Sequence, residues 1–455
     1  MYGTDLSALS CRSILYEPRD AGSPELPTMA PPLLHGQSWI VRRGERLLPC
    51  RIRMSTGIGR SYHPPHARPV EPMIETSYTL PAEAPVDQGP PMVLAVEATR
   101  FLREVRGIGR YVRALLPRLV ALRPTLRLVL FVKRPRDIDP VQAMLGELPG
   151  LRGRVEVRPV REMSRFEADV YWYPWNTASP TPARGAVVAT VHDIVPIAHP
   201  DPRWRGWQKN LRWRRRYGAT AARAALIVAD SQFTADEVHR MLGVPYERMR
   251  VVLLAADDFP IPPAANDAAM LERLGVRTPY VLAVGAADRR KNLALLERAM
   301  SAVVQKHPDL TLVLAGPRRE DQAEAPDAEW RKTLGFVSEE ELAALYRRAA
   351  VLVMPSTYEG FGLPVLEAMR LGTPVISAHS SSLPEVGGDA AMWVDASDDV
   401  DLANKIGVIV SDAHVSAAMR AASLKRAACF SWDDTARQTL AAFDEAATLA
   451  ARALR

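Results

Sequence analysis

The stretch Val351-Leu-Val-Met-Pro-Ser-Thr-Tyr-Glu-Gly-Phe-Gly-Leu-Pro-Val-Leu-Glu-Ala-Met369 holds a strand, a glycine turn and a helix in direct succession. Val351–Met354 is apolar throughout, as a strand covered on both faces must be. Gly360 and Gly362 leave their backbone amides uncovered by side chains, and Pro364 suits the first turn of a helix. Uncovered amides at a helix N-terminus make an anion site. Glu359 falls in the turn and Glu367 about one turn into the helix, where carboxylates can accept hydrogen bonds from sugar hydroxyls. The bare spacing fits equally well a glycine turn flanked by two solvated glutamates.

The same strand-then-helix unit repeats on either side of this block. Upstream, strands are predicted at Val93–Glu97, Arg127–Val132, Val155–Val157, Asp169–Tyr173, Ala186–Val191, Leu226–Ala229 and Val251–Leu254. The run Ile261-Pro-Pro-Ala-Ala-Asn-Asp267 interrupts the alternation and reads as a linker. It resumes with strands at Tyr280–Val284, Leu310–Ala315, Thr333–Val337, Val351–Met354, Pro374–Ser377 and Met392–Val394. Apolar strands alternating with amphipathic helices imply an α/β fold of two doubly wound, Rossmann-like parallel-sheet domains facing a cleft. Ligands in such sheets sit beyond the strand C-termini. The division expected is 1–91, a Pro-rich disordered extension; 92–260, an acceptor domain; 261–277, a linker; 278–430, a donor domain; and 431–455, a returning helix.

Residues 1–91 hold 14 of the 38 prolines and balance 9 Lys/Arg against 9 Asp/Glu. That composition without periodicity suits disorder, and a translation start at Met92 would explain the same change. Three scattered cysteines exclude a disulfide framework and fit a reducing cytoplasm. The sequence contains no apolar run long enough for a membrane span. A net charge of +6 suggests an anionic partner without saying which.

Eight short motifs follow one another from Met92 to the C-terminus. They are Gly107-Ile-Gly-Arg-Tyr111, Thr190-Val-His-Asp193, Ala229-Asp-Ser-Gln-Phe233, Arg290-Lys-Asn-Leu293, Gly335-Phe-Val-Ser-Glu-Glu-Glu-Leu342, the Glu359/Glu367 block, Leu383-Pro-Glu-Val386 and Phe430-Ser-Trp432. In this order they resemble family 4 glycosyltransferases of the GT-B fold, especially the bacterial mannosyltransferase-like enzymes of surface polysaccharide and O-antigen synthesis. The resemblance implies a retaining, metal-independent hexosyltransferase; the localisation expected from the cysteines is cytoplasmic, with the inner face of the cell membrane as the alternative. Its catalytic residues would be Glu359, at the donor sugar, and His192, at the transferred sugar. Glu367 would bind the ribose. Gly285, Phe336 and Val337 would complete a donor site with Gly360, Phe361, Gly362 and Leu363, while Arg290 and Lys291 neutralise the diphosphate. Gly107, Gly109 and Arg110 would form a loop at the diphosphate and acceptor. Many relatives carry Arg directly after the glycine where this chain has Ala286, which leaves open which cation meets which phosphate. The resemblance implies no cofactor and no metal, since the nucleotide-sugar is a substrate. It favours GDP-mannose, with a UDP- or dTDP-sugar as alternative, and a glycan or lipid-linked acceptor. Glu385 fits a helix cap or a surface position as well as a site role.

The segment Arg203-Trp-Arg-Gly-Trp-Gln-Lys-Asn-Leu-Arg-Trp-Arg-Arg-Arg216 stands apart. On a helix, Trp204, Trp207 and Leu211 share one arc, and Arg205, Lys209, Arg212 and Arg216 another. Such a helix suits contact with an anionic membrane; packing of the tryptophans on the first sheet is the other reading. Nucleic acid is not expected, because no recognition motif accompanies the charge. Two further function classes remain: a nucleotide-sugar epimerase or hydrolase, which would turn over without acceptor, and a non-catalytic membrane-associated binding protein, against which the intact Glu359 and Glu367 argue.

Overall fold

A computed structural model describes residues 89–453 apart from 105–106, 181, 183, 201–205, 286–287 and 317–328. The extension expected over most of 1–91, and the departure at Ala286, lie outside the described residues. Seven strands build the first sheet: β1 (Val93–Glu97), β2 (Arg127–Val132), β3 (Val155–Pro159), β4 (Val170–Tyr173), β5 (Ala186–Val191), β6 (Leu226–Ala229) and β7 (Met249–Val251). Six build the second: β8 (Tyr280–Val284), β9 (Thr311–Ala315), β10 (Arg331–Gly335), β11 (Val351–Met354), β12 (Val375–Ala378) and β13 (Ala391–Val394). Their orders are β3-β2-β1-β4-β5-β6-β7 and β10-β9-β8-β11-β12-β13, parallel throughout. The chain is thus two Rossmann-like parallel-sheet domains. Each order reverses at one place, between β1 and β4 and between β8 and β11, and a crevice opens beyond the strand ends there.

Two strands are displaced from the sequence reading, while the others match it to within two residues at either end. β10 begins two residues before the predicted strand, its register shifts between Thr333 and Gly335, and it ends at Gly335, whose φ of +70° turns the chain out of the ladder. β7 pairs Met249–Val251 with Ile227–Ala229, so it too lies upstream of the predicted span, and the predicted Leu253 is exposed. The segment 261–277 is not wholly extended: it carries the helix Asp267–Leu274. Buried Leu271 and the buried Asp267 carboxylate, 3.0 Å from Arg347, fix that helix to Glu339–Arg348.

The last helix, Trp432–Ala453, lies on the first domain against the helix Ile108–Leu122. Trp432 is fully buried and donates from Nε1 to Asp258 at 2.6 Å. Arg123, with 1% of its side chain exposed, makes two 2.6 Å bonds to Asp444, and Thr435 donates to the Leu253 carbonyl. No helix among the described residues is long and apolar enough to cross a membrane. Trp432→Ala should lower the unfolding free energy by about 3–5 kcal/mol, as removal of a fully buried large side chain does; urea unfolding followed by circular dichroism measures it.

Candidate active site

The two loops beside the β8/β11 reversal come together. After β8, Gly285 has φ +83°, and a Cβ there would lie 3.1 Å from Lys291 Cε, so the lysine stem crosses the bare glycine. Lys291 ends a short 3-10 turn, Arg289–Lys291, capped by Asp288 accepting from the Arg290 amide. After β11 comes Glu359, and Lys291 Nζ stands 2.8 Å from its Oε1. Both side chains are largely buried, at 14% and 12% exposure, so solvent screens this pair far less than a surface one. Arg290 stands beside it, donating to Asp288 at 2.8–2.9 Å and to the Tyr358 carbonyl at 3.3 Å. Burial raises the Asp288 carboxyl, but the Arg290 hydrogen bonds outweigh it and hold the group below its usual range.

The helix Leu363–Arg370 starts where Gly362, at φ +104°, releases the turn. Ser382 Oγ donates to the Glu359 and Phe361 carbonyls, and the Glu359 amide donates to Ser381. The turn is therefore held from the next crossover rather than by its own residues.

His192 follows β5 in the first domain. Its Nε2 lies 3.0 Å from the Pro174 carbonyl, which can only accept, so Nε2 carries a proton. Nδ1 faces Asp230 at 3.3 Å. Complete burial raises the Asp230 carboxyl, opposed by its bond to His192. The neighbouring Asp193 carboxyl is likewise raised by burial, opposed by the Val195 amide and by Arg290 across the cleft. The walls of the cleft meet here. A Cβ on Gly360 would fall 1.7 Å from the His192 carbonyl oxygen, and the Gly360 carbonyl accepts from Ser231 and Thr234 at 2.6 and 3.2 Å.

Glu367, 9% exposed, makes a second crossing. Its Oε1 is 3.0 Å from Arg110 Nη1, and its Oε2 accepts from Tyr346 at 3.0 Å. Arg110 also donates to Asp258 at 2.7 and 3.1 Å and lies over the Phe259 ring. The arginine expected at the diphosphate loop is thus bound to the carboxylate expected at the ribose. Gly107 caps its helix at φ +58°, and Gly109 packs so closely on the Glu104 carbonyl that no side chain fits. Phe336 is 73% exposed just past β10, whereas the Val337 side chain is in the core. Phe361 is buried against Phe430. Glu385 is a helix cap across the cleft, accepting from the Gln232 and Phe233 amides at 2.7 and 2.8 Å. The sequence reading missed Tyr346, Asp258 and Ser381, which lie on ordinary helices and loops with no local signature. Asp230 was in view within the Ala229–Phe233 motif, but its facing His192 is a tertiary fact.

Residues 105–258 match the Glycosyltransferase Family 4 family model and residues 272–426 the Glycosyl transferases group 1 model. The O-antigen chain mannosyltransferase B of Escherichia coli is 33% identical over 270 residues, 56% of this chain and 69% of that protein. The chain belongs to the family 4 glycosyltransferases. It is 26% identical over 288 residues to the serotype-specific mannosyltransferase WbdA of the same organism, spanning 59% of this chain but only 33% of WbdA. The solved structure of HepE from Anabaena, in complex with UDP and glucose, matches with a TM-score of 0.59 at 18% identity, covering 78% of this chain and 100% of that one. In this glycosyltransferase of the GT-B fold the glycine loop is wedged against the opposite domain.

Gly360→Ala should therefore hold the walls apart, because the carbonyl it meets is backbone and cannot rotate aside. The expected result is a loss of about a hundred-fold in kcat, the scale for a 1 Å misplacement. The radius of gyration by solution scattering should rise while the circular dichroism spectrum stays unchanged.

Proposed function

We propose that this glycosyltransferase moves mannose from GDP-mannose, with retention and without a metal, to a hydroxyl of a glycan or lipid-linked acceptor. The observation that carries the reading is the buried Lys291–Glu359 pair beside Arg290, at the β8/β11 crevice. One carboxylate within reach of sugar hydroxyls and two cations suited to a diphosphate are the parts such a transfer needs. The mannosyltransferases among the relatives support the choice of sugar.

In this reading Lys291 and Arg290 stabilise the charge that grows on the departing diphosphate, the step from which most of the barrier reduction comes. The acceptor oxygen bonds to the anomeric carbon on the leaving-group face as the carbon–phosphate oxygen bond breaks. The bonding electrons leave with the nucleoside diphosphate, and a phosphate oxygen takes the acceptor proton. Amides of Phe361, Gly362 and Leu363 add to the anion site. A hydroxyl of the transferred sugar replaces the Pro174 carbonyl as acceptor of the His192 Nε2 proton. Glu367 takes the ribose hydroxyls, sharing or exchanging its bond to Arg110. Contact between the two walls excludes water and favours transfer over hydrolysis.

A UDP-sugar donor is the second reading, supported by the UDP and glucose in the HepE structure. Thermal unfolding separates the two. At about a hundred times its Kd a nucleotide stabilises by about 2.7 kcal/mol, so GDP should raise the midpoint clearly and UDP at the same concentration should not. The reverse order would replace GDP-mannose with a UDP-sugar. The two glutamates should also separate: Glu359→Gln should lower kcat with GDP affinity little changed, while Glu367→Gln should weaken GDP binding about ten-fold or more, the loss expected for charged hydrogen bonds. Equal effects of both changes on both quantities would refute the division of roles.

A further inference from the structure

The first domain has its own crevice, between β1 and β4, and it is not occupied by the donor machinery. A cavity of about 900 Å³ opens there. It is reached from Glu97 at the end of β1, from Lys133 just past β2, from Trp175–Ser179 after β4, and from the helix Gly206–Arg223. Six cations line it: Arg100, Lys133, Arg212, Arg215, Arg216 and Arg223. The one carboxylate among the lining residues is Glu97. Arg100 has a partner in Glu104 at 3.2 Å, and Arg216 lies over the Trp213 ring. Lys133, Arg212 and Arg215 make no ion pair among the described residues. Gathering like charges around a concave surface is unfavourable by itself, and an anion in the cavity offsets it.

Two more features narrow the ligand. Glu97 is 4% exposed and fixed by the Thr99 amide at 2.9 Å, while the Trp175 indole donates to the Glu97 carbonyl. A carboxylate held at the floor of a cationic cavity repels a bare phosphate but accepts hydroxyl hydrogen bonds. Trp207 and Leu211, 56% and 39% exposed, also line the cavity. They are not packed on the sheet, whereas Trp213 is partly buried beside Tyr217. Residues 203–205 of the predicted amphipathic helix lie outside the described residues.

The cavity also adjoins the transfer site. Asn176, in the loop that lines it, accepts from the His192 amide at 2.7 Å, and the Ala178 amide donates to Thr220 on the lining helix. Tyr217 of the same helix donates to the Asp193 carbonyl at 3.1 Å. The loop and the helix that line the cavity are thus hydrogen-bonded to the His192–Asp193 segment.

We infer that this cavity binds the acceptor and that the acceptor carries a phosphate or diphosphate next to its sugar, with the arginines on the phosphate, Glu97 on a sugar hydroxyl and Trp207 against an apolar face. This rests on the proposal that the first domain holds the acceptor. The phosphate can belong to a soluble sugar phosphate or to a lipid-linked one.

Calorimetric titration with octyl mannoside and with octyl mannosyl diphosphate, which differ only in the phosphates, tests it. The diphosphate compound should bind at least about ten-fold more tightly, as charge-assisted bonds to several arginines require. That advantage should vanish in Arg212→Glu/Arg215→Glu and, on a separate element, in Lys133→Glu. Mannose 1-phosphate as a third ligand distinguishes the sources: binding equal to the octyl compound indicates a soluble acceptor, and much weaker binding a lipid-linked one. Equal affinity of the two octyl compounds, or an advantage that survives charge reversal, overturns the inference. So does a charge reversal that abolishes sedimentation with anionic vesicles while leaving both affinities intact, which would make the arginines a membrane surface. GDP titrated into the same proteins keeps the donor reading separate, since failure of GDP to bind the unaltered chain would refute that reading alone.

Discussion

Two sheets can share one reaction centre only if a backbone of one comes within contact distance of a backbone of the other. Here that approach is Gly360 against the His192 carbonyl, at a separation that admits no Cβ. Everything else at the centre is arranged around it. The Gly360 carbonyl is held by Ser231 and Thr234, residues at the start of the helix that Glu385 caps from the opposite side. The contact is thus closed by hydrogen bonds donated from the first domain to acceptors on the second. It brings Arg290 and Glu359 within electrostatic reach of Asp193 on the opposite wall.

Buried charge provides the second constraint. Arg110 lies between Glu367 and Asp258, and Asp258 also accepts from Trp432. The final helix, the first domain and the donor helix therefore meet in one hydrogen-bonded group. Removing Arg110 would leave the largely buried Glu367 carboxylate without its cation, which costs far more than the net worth of the pair. That makes the return of the chain to the first domain part of the active-site architecture.

The proposed acceptor side differs in kind. Its cavity lies at the reversal point of the first sheet, as the donor loops lie at that of the second, yet it is lined by exposed arginines rather than paired buried charges. The proposed donor groups are held before any ligand arrives, whereas Lys133, Arg212 and Arg215 are exposed and make no ion pair among the described residues.

Strand identity was legible in the sequence because apolar runs buried on both faces read the same in any context; β2, β5, β6, β8 and β11 coincide with their predicted spans. The strands that moved, β7 and β10, are edge strands, where pairing on one side leaves the ends to local turns such as Gly335. The helix at 267–274 was hidden behind prolines, because its stability comes from Leu271 and the Asp267–Arg347 pair rather than from its own eight residues. At the centre, the sequence by itself determined which groups were present: the glycines, Glu359, Glu367, Lys291 and His192, each in the segment that follows a strand. Only the tertiary structure decided their partners, among them Lys291 with Glu359, Arg110 with Glu367, and His192 with Asp230. The physical reason is range. Strand and turn follow from neighbours a few positions away, whereas each of these partners is 38 to 257 positions distant or across a cleft, and its identity is set by how two sheets close on one another.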